Sequence, residues 1–328
     1  MDFGSAWIQK GTRKDLSKLL RKKKIKNLLI IGGTGFIGTH LIRQISKSNF
    51  NIYCLSTRHL KSDKKLKYIK YILCDISNRT KLFKTLSRYS FDIVVNLGGH
   101  VNHTEWKKTY NTHYLGCKNL ADYFLNKKIS KFIQLSSSLE YGANSSPHLE
   151  KMKINIKKLK TAYSIGKAKA TRYLLKLNKK KNFPVTILRL YLAYGPGQDY
   201  NRIIPITIKN FINQRKISLT NCNQIRDFLY IDDLINLILK IISYKKNKNV
   251  IFNVGSGKPI KLKLIIELIK HKLKKGTPLY GKIPLRKDEN INLYPNIALV
   301  KKTFKWKPLI DLDKGITSTI NYYKNAKR

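Results

Sequence analysis

The sequence predicts an α/β chain: a doubly wound parallel sheet of about seven strands, covered by helices on both faces, with a smaller C-terminal lobe. Two observations predict it. Short β-branched runs alternate with longer stretches whose apolar residues recur at helical spacing, the pattern of parallel strands joined by crossover helices. After Leu190 that alternation breaks at Gly195, Pro196, Gly197 and Pro205, which sets the lobe apart.

Strands are expected at 27–31, 51–55, 68–73, 93–97, 131–135, 185–190 and 250–254. Helices are expected at 37–46, 109–125, 162–177 and 234–242, and no internal repeat interrupts them. These divide the chain into a basic N-terminal extension at 1–26 and a dinucleotide-binding domain at 27–190, to which 222–257 returns. Residues 191–221 and 258–328 form the substrate lobe. At 328 residues the chain is long enough to bury a full core in such an arrangement.

Lys and Arg number 67 against 18 Asp and Glu, a formal net charge of +49. The lysines are spread along the whole chain among many Ile and Asn, with only short runs such as Arg21 to Lys24 and Lys179 to Lys181. A solvated basic surface accounts for that distribution, because net charge informs on association rather than on fold. The competing class is a catalytically idle member binding RNA, a contact that would weaken steeply with salt. Basic motifs interleaved with aromatics, which single-strand binders use, are missing, so nucleic acid is not the expected partner.

Cys54, Cys74, Cys117 and Cys222 make no C-x-x-C pair and no metal spacing, so no metal is expected and a reducing, cytoplasmic setting is the default. No run of about eighteen apolar residues exists to span a membrane. The first 26 residues are Lys-rich, lack an apolar core and contain Asp2 and Asp15, so they are expected to be an extension rather than a leader.

The run from Leu28 to Gly38 is a buried strand, a glycine-rich turn and a helix start in that order, and only this context makes its glycines informative. Gly32, Gly33, Gly35 and Gly38 satisfy both G-x-G-x-x-G and G-x-x-G-x-x-G. Such a turn lets the backbone approach a pyrophosphate and leaves the phosphate at a helix N-terminus, with Thr34, Phe36 and Ile37 alongside. This is the Rossmann-type site. An acid about twenty residues on would bind the 2′-hydroxyl of NAD; here the second strand ends Ser56-Thr57-Arg58, a guanidinium placed for a 2′-phosphate. NADP(H) is therefore expected over NAD(H). Asp75, after the third strand, could accept from an adenine amino group or could form a turn before Ser77 and Asn78.

Further motifs follow: Ser136-Ser137-Ser138-Leu139-Glu140-Tyr141-Gly142, Tyr163-Ser164-Ile165-Gly166-Lys167, and Leu188-Arg189-Leu190-Tyr191-Leu192-Ala193-Tyr194-Gly195-Pro196-Gly197-Gln198. Arg226 to Asp233 and Asn253 to Gly257 complete the set. In this order they resemble the extended short-chain dehydrogenase/reductase family, also called the NAD-dependent epimerase/dehydratase family, from about Lys26 almost to the C-terminus. The resemblance implies a triad of Ser137, Tyr163 and Lys167. Ser137 would hydrogen-bond the substrate oxygen, Tyr163 would exchange its proton, and Lys167 would hold the nicotinamide ribose. It also implies cofactor contacts at Ile76, Leu97, Gly98 and Gly99, and substrate contacts at Ser138, Tyr194, Arg226 and Arg286. A Tyr and a Lys four apart on a helix share one face, so the ammonium is expected to favour the phenolate. Relatives commonly pair through two helices, which makes a homodimer the expectation.

Dehydratases of the family place an acid and a base where this chain has Ser138 and Leu139, and a leucine cannot be a base. The resemblance leaves two readings. One is reduction of a 4-keto-6-deoxy nucleotide sugar, favoured by the Arg58 end of the second strand; the alternative is 4-epimerisation with bound NAD. Leu192 stands where the family often has Asn. Asp232 and Asp233 are expected to cap the helix beginning near Leu234.

Overall fold

A computed structural model describes residues 27–46, 50–60, 65–100, 105–245, 250–286 and 289–325, so the expected extension at 1–26 lies outside the described residues. At its centre β1 (Asn27–Ile31) lies between β2 (Asn51–Ser56) and β4 (Ile93–Asn96). Beyond β2 lies β3 (Ile69–Leu73); beyond β4 lie β5 (Lys131–Ser137), β6 (Val185–Leu190) and β10 (Ile251–Val254). All six neighbouring pairs are parallel. The chain runs outward from β1 to β3, then returns to the other side of β1 at β4. That reversal opens a crevice at the carboxyl ends of β1 and β4, where ligands of open α/β sheets bind.

β1 is buried on both faces because each face meets helices. Leu28 and Ile30 pack with Leu41, Ile42 and Ile45 of α1 (Phe36–Ile45), while Leu29 and Ile31 join the core on the opposite side. That second core takes Leu82 and Leu86 from α2 (Arg79–Leu86), Leu120 and Phe124 from α4 (Gly116–Leu125), and Leu174 from α5 (Ala162–Lys181). Each such fully buried Leu or Ile contributes about 1.5–3 kcal/mol, which fixes the sheet more firmly than any single polar contact. α3 (Trp106–Tyr110) runs into α4 through a π-helical turn, Asn111–Leu115. The helix expected at 109–125 therefore begins earlier and widens in the middle, a distortion often found where a helix serves a site.

In the lobe, β9 (Ile225–Tyr230) pairs with β7 (Leu192–Tyr194), β11 (Pro259–Lys261) and β13 (Asn292–Leu293), and β8 (Lys216–Ser218) pairs with β12 (Thr277–Leu279). The stretch 222–257, expected to return to the main sheet, does so only from α7 (Ile231–Ser243), whose Ile-rich face packs into the α1 side, and through β10. Residues 225–230 stay with the lobe because β9 supplies its central ladder. The lobe adds α6 (Ile203–Ile212), α8 (Leu262–Leu273), α9 (Ala298–Phe304) and α10 (Leu312–Asn325), none of them expected from the sequence.

Asp233 does not cap a helix. Strand β9 passes straight into α7 at Ile231, and the Asp233 carboxylate accepts from the N–H groups of Leu309 and Ile310, each at 2.9 Å. It ties the C-terminal segment to the sheet. Asp232, also in the first turn, faces His40 of α1 at 3.9 Å.

Candidate active site

At the crevice, Gly32 has φ +74° and packs on the next strand's loop: a β-carbon there would meet Gly98 Cα at 2.9 Å and the Leu97 carbonyl carbon at 3.1 Å. Only glycine meets both demands. A β-carbon on Gly38 would overlap the Gly32 carbonyl, so turn and helix can close only as they do. Gly35 precedes α1 with no side-chain cap, leaving the first-turn N–H groups of Phe36, Ile37 and Gly38 to an anion. This cradle fits the pyrophosphate of a dinucleotide.

At the end of β2, Ser56 Oγ lies 2.8 Å from Thr34 Oγ1 and accepts from the Arg58 N–H at 3.0 Å. The glycine turn and the Arg58 loop thus share one hydroxyl pair, with the Arg58 side chain exposed. Asp75 accepts from the N–H and the hydroxyl of Ser77, both at 2.8 Å, so one carboxylate oxygen makes the turn foreseen as an alternative to adenine binding. Ile76 is buried against Gly116, and Gly98 N–H donates to Asn96 Oδ1 at 3.1 Å. Leu97 and Gly98 lie against Gly32.

The triad comes together at the carboxyl end of β5. Ser137 ends that strand; its Oγ accepts from the Leu139 N–H at 3.2 Å and hydrogen-bonds the Tyr163 side chain. Tyr163 sits in the first turn of α5, whose start is fixed by Thr161 Oγ1 accepting from the Ser164 N–H at 3.1 Å. One turn on, Lys167 is 4% exposed and donates to the Leu135 carbonyl at 2.7 Å. Its Nζ is 5.9 Å from the Tyr163 ring centroid. Burial lowers the Lys167 ammonium to about 8, against smaller upward pulls from Cys117 and Glu140. Burial raises the Tyr163 phenol, outweighing the Ser137 hydrogen bond and the charge of Arg202. In the chain alone, the cost of burying an anion outweighs the contacts that favour the phenolate.

His113 joins the two halves. It lies in the π turn, 3% exposed, with Nε2 2.8 Å from the His100 carbonyl and its ring edge to face with Tyr163 at 4.7 Å. A β-carbon on Gly99 would overlap its Cε1. Through Gly32, Gly98, Gly99 and His113, the glycine turn and Tyr163 are thus in one packed series.

Of the expected substrate residues, Ser138 is buried beside Ser137, but Tyr194 is a core residue, 1% exposed among Phe228, Tyr230 and Gly315. The Tyr194 expectation is corrected for a steric reason: its hydroxyl abuts Gly315 of α10, on the lobe side. Arg226 is buried too, donating to the carbonyls of Ile225 and Ile291 at 2.9 and 3.0 Å and pairing with Glu289. Its guanidinium is engaged in holding the lobe. Arg286 is exposed.

Sequence reasoning missed His113 and Glu140. Glu140 is wholly buried and paired with Arg189 at 3.1 Å, so it is no substitute for the missing dehydratase base. Its signal was available: one acid inside a serine-rich strand end of a very acid-poor chain.

Residues 28–255 match the family described as the NAD dependent epimerase/dehydratase family. The dTDP-4-dehydro-6-deoxyglucose reductase of Escherichia coli is 28% identical, the match covering 89% of this chain and 96% of that protein. The CDP-abequose synthase of Salmonella muenchen is 25% identical over 90% of this chain and 97% of its own. Relatives at 27% and 26% identity carry UDP-glucose 4-epimerase and dTDP-D-glucose 4,6-dehydratase names. In fold, the chain matches the UDP-glucose 4-epimerase of Thermotoga maritima, solved with UDP-glucose, with a TM-score of 0.85 at 21% identity over 92% of this chain and all of that one.

Proposed function

The chain belongs to the NAD-dependent epimerase/dehydratase family, and we propose that it reduces a 4-keto-6-deoxy nucleotide sugar with NADPH. The observation that carries the reading is the meeting of Ser137, Tyr163 and Lys167 beside the glycine turn, with Arg58 rather than an acid at the end of β2.

Ser137 donates a hydrogen bond from its hydroxyl to the 4-keto oxygen, keeping its own proton, and orients that oxygen toward Tyr163. The phenol, kept protonated by burial, passes its proton to that oxygen as negative charge develops there, and the alcohol forms. Lys167, anchored on the Leu135 carbonyl and carrying its proton below about pH 8, stabilises the phenolate left behind. Gly32, Thr34, Gly35, Phe36, Ile37 and Gly38 would hold the dinucleotide, which when bound would supply the hydride. Arg58 would bind its 2′-phosphate, and Arg286, exposed on the lobe, would meet the substrate diphosphate.

Two further features belong to this reading. The four cysteines are free and buried, as suits a reducing cytoplasm. Trp106, 53% exposed and stacked on Tyr110, together with Tyr114 offers an aromatic helix face for a second copy of the chain. Among the described residues no helix is long and apolar enough to cross a membrane.

The test mixes purified protein with NADPH or NADH and CDP-, dTDP-, GDP- or UDP-linked 4-keto-6-deoxyhexose. NADPH oxidation with one of them is expected. Interconversion of sugars with no net oxidation of added cofactor overturns reduction in favour of 4-epimerisation.

A further inference from the structure

Beneath the triad lies a buried polar network that the proposed chemistry does not use. The Glu140 carboxylate, 0% exposed, accepts from Ser136 Oγ, from Thr171 Oγ1 at 3.0 Å and from Arg189 Nε at 3.1 Å, and reaches the Ser137 N–H at 3.5 Å. Arg189, 3% exposed, lies over the Tyr141 ring at 4.6 Å and donates to the Glu150 carbonyl at 3.4 Å. Tyr141 in turn donates to Asn253 Oδ1 at 2.7 Å. The residues after Ser137 are also tied to the lobe: the His148 N–H donates to the Tyr294 carbonyl at 3.0 Å and the Asn296 N–H to the His148 carbonyl at 2.9 Å.

A buried ion pair is poor value as a stabiliser, because desolvation of both charges offsets most of their attraction and well-packed apolar replacements often do as well. Geometry is a better account of it. Ser137 and Glu140 form a reciprocal capping box around one short turn, in which the carboxylate reaches back to the Ser137 N–H while the Leu139 N–H holds the Ser137 hydroxyl. The same carboxylate bonds Thr171 on α5, the helix that carries Tyr163 and Lys167. One anion thus fixes the turn that presents the serine against the helix that presents the tyrosine, a helix whose own place is set by its apolar packing.

We propose that Glu140, held by Arg189, is a positioning residue that sets the Ser137 hydroxyl against Tyr163. The inference rests on the catalytic reading above. It acts through Ser137, so its removal should matter only while Ser137 has a hydroxyl to place.

The experiment is a double-mutant cycle of parent, E140Q, S137A and E140Q/S137A, assayed with NADPH and dTDP-4-keto-6-deoxyglucose or whichever linked sugar the parent consumes. E140Q is expected to lower kcat at least tenfold, with KM and NADPH affinity changed by less than about threefold, since misplacement of a reacting group strikes kcat. The double variant is expected to be no slower than S137A alone. Losses that multiply, or E140Q with parental kcat, overturn the proposal. If E140Q does not fold, E140Q/R189M, which empties the buried site of both charges, replaces it in the cycle; failure of both to fold makes Glu140 a folding residue and also overturns the proposal. An active parent with a crippled S137A and an uncoupled E140Q sinks this inference alone, whereas a parent inert toward every sugar removes the functional reading and this inference with it.

Discussion

The His113 ring meets the Tyr163 ring edge to face, 4.7 Å between centroids, and its Cε1 fills the space where a β-carbon on Gly99 would stand. Gly99→Ala is therefore expected to displace the imidazole that packs on Tyr163 and lower kcat about 10- to 100-fold, the scale of a misplacement near 1 Å. The double variant Gly99→Ala, His113→Ala, which restores the space, should recover part of the loss. Steady-state kinetics check both; a Gly99→Ala protein with parental kcat removes the link between the cofactor loop and the phenol.

Lys167 makes stability depend on pH in a stated direction. Its folded value is about 8, below the unfolded 10.5, so below pH 8 the amine is charged in both states and the fold bears the whole cost of burying it. Above that value the unfolded chain binds more protons than the folded one, and stability rises until the unfolded amine also titrates. Relative to Lys167→Met, the parent should gain about 1 kcal/mol between pH 7 and pH 9. Urea unfolding at both pH values measures it, and the variant cancels contributions from other groups. A constant difference would mean that the amine is not desolvated.

The main sheet was legible because its strands are buried on both faces and read as continuous apolar runs; 27–31 and 185–190 match their observed bounds residue for residue. The lobe was not. Its strands are two to six residues long, and β9 begins Ile225-Arg226-Asp227 with all but Ile225 buried, since Arg226 and Asp227 are satisfied by partners distant in sequence. Asp233 misled for the same reason: only the fold brings Leu309 and Ile310 to it. Within the site, motif order pointed to Ser137, Tyr163 and Lys167, which the fold brings together, but which side chains face the crevice is a packing result. Tyr194 lost its expected place to Gly315, and His113 gained one through a π turn that no periodicity shows.

Arg58 carries the cofactor preference in the proposed reading. Arg58→Ala is expected to weaken NADPH binding by about 1.5–3 kcal/mol, the range of a hydrogen bond to a charged group, while leaving NADH within about twofold. Fluorescence titration with both cofactors separates the cases. Equal weakening of the two would mean that the guanidinium does not read the 2′-phosphate.

Arg226 and Arg286 should behave in opposite ways, because the first is spent inside the fold and the second is exposed. Arg226→Ala leaves the carbonyls of Ile225 and Ile291 and the Glu289 carboxylate without their donor. Glu289 is partly solvated, so the expected cost is about 1–3 kcal/mol rather than that of a fully buried pair, read as a lower melting temperature. Arg286 is exposed, and Arg286→Ala should change stability by no more than about 0.5 kcal/mol. Its proposed diphosphate contact predicts instead a rise in nucleotide-sugar KM of about tenfold, the loss of one charge-assisted hydrogen bond. Thermal unfolding and kinetics on the same two preparations decide the matter. If Arg286→Ala leaves KM unchanged, the diphosphate is held elsewhere in the lobe; if Arg226→Ala raises KM at unchanged melting temperature, Arg226 releases Glu289 and turns to the substrate when it binds.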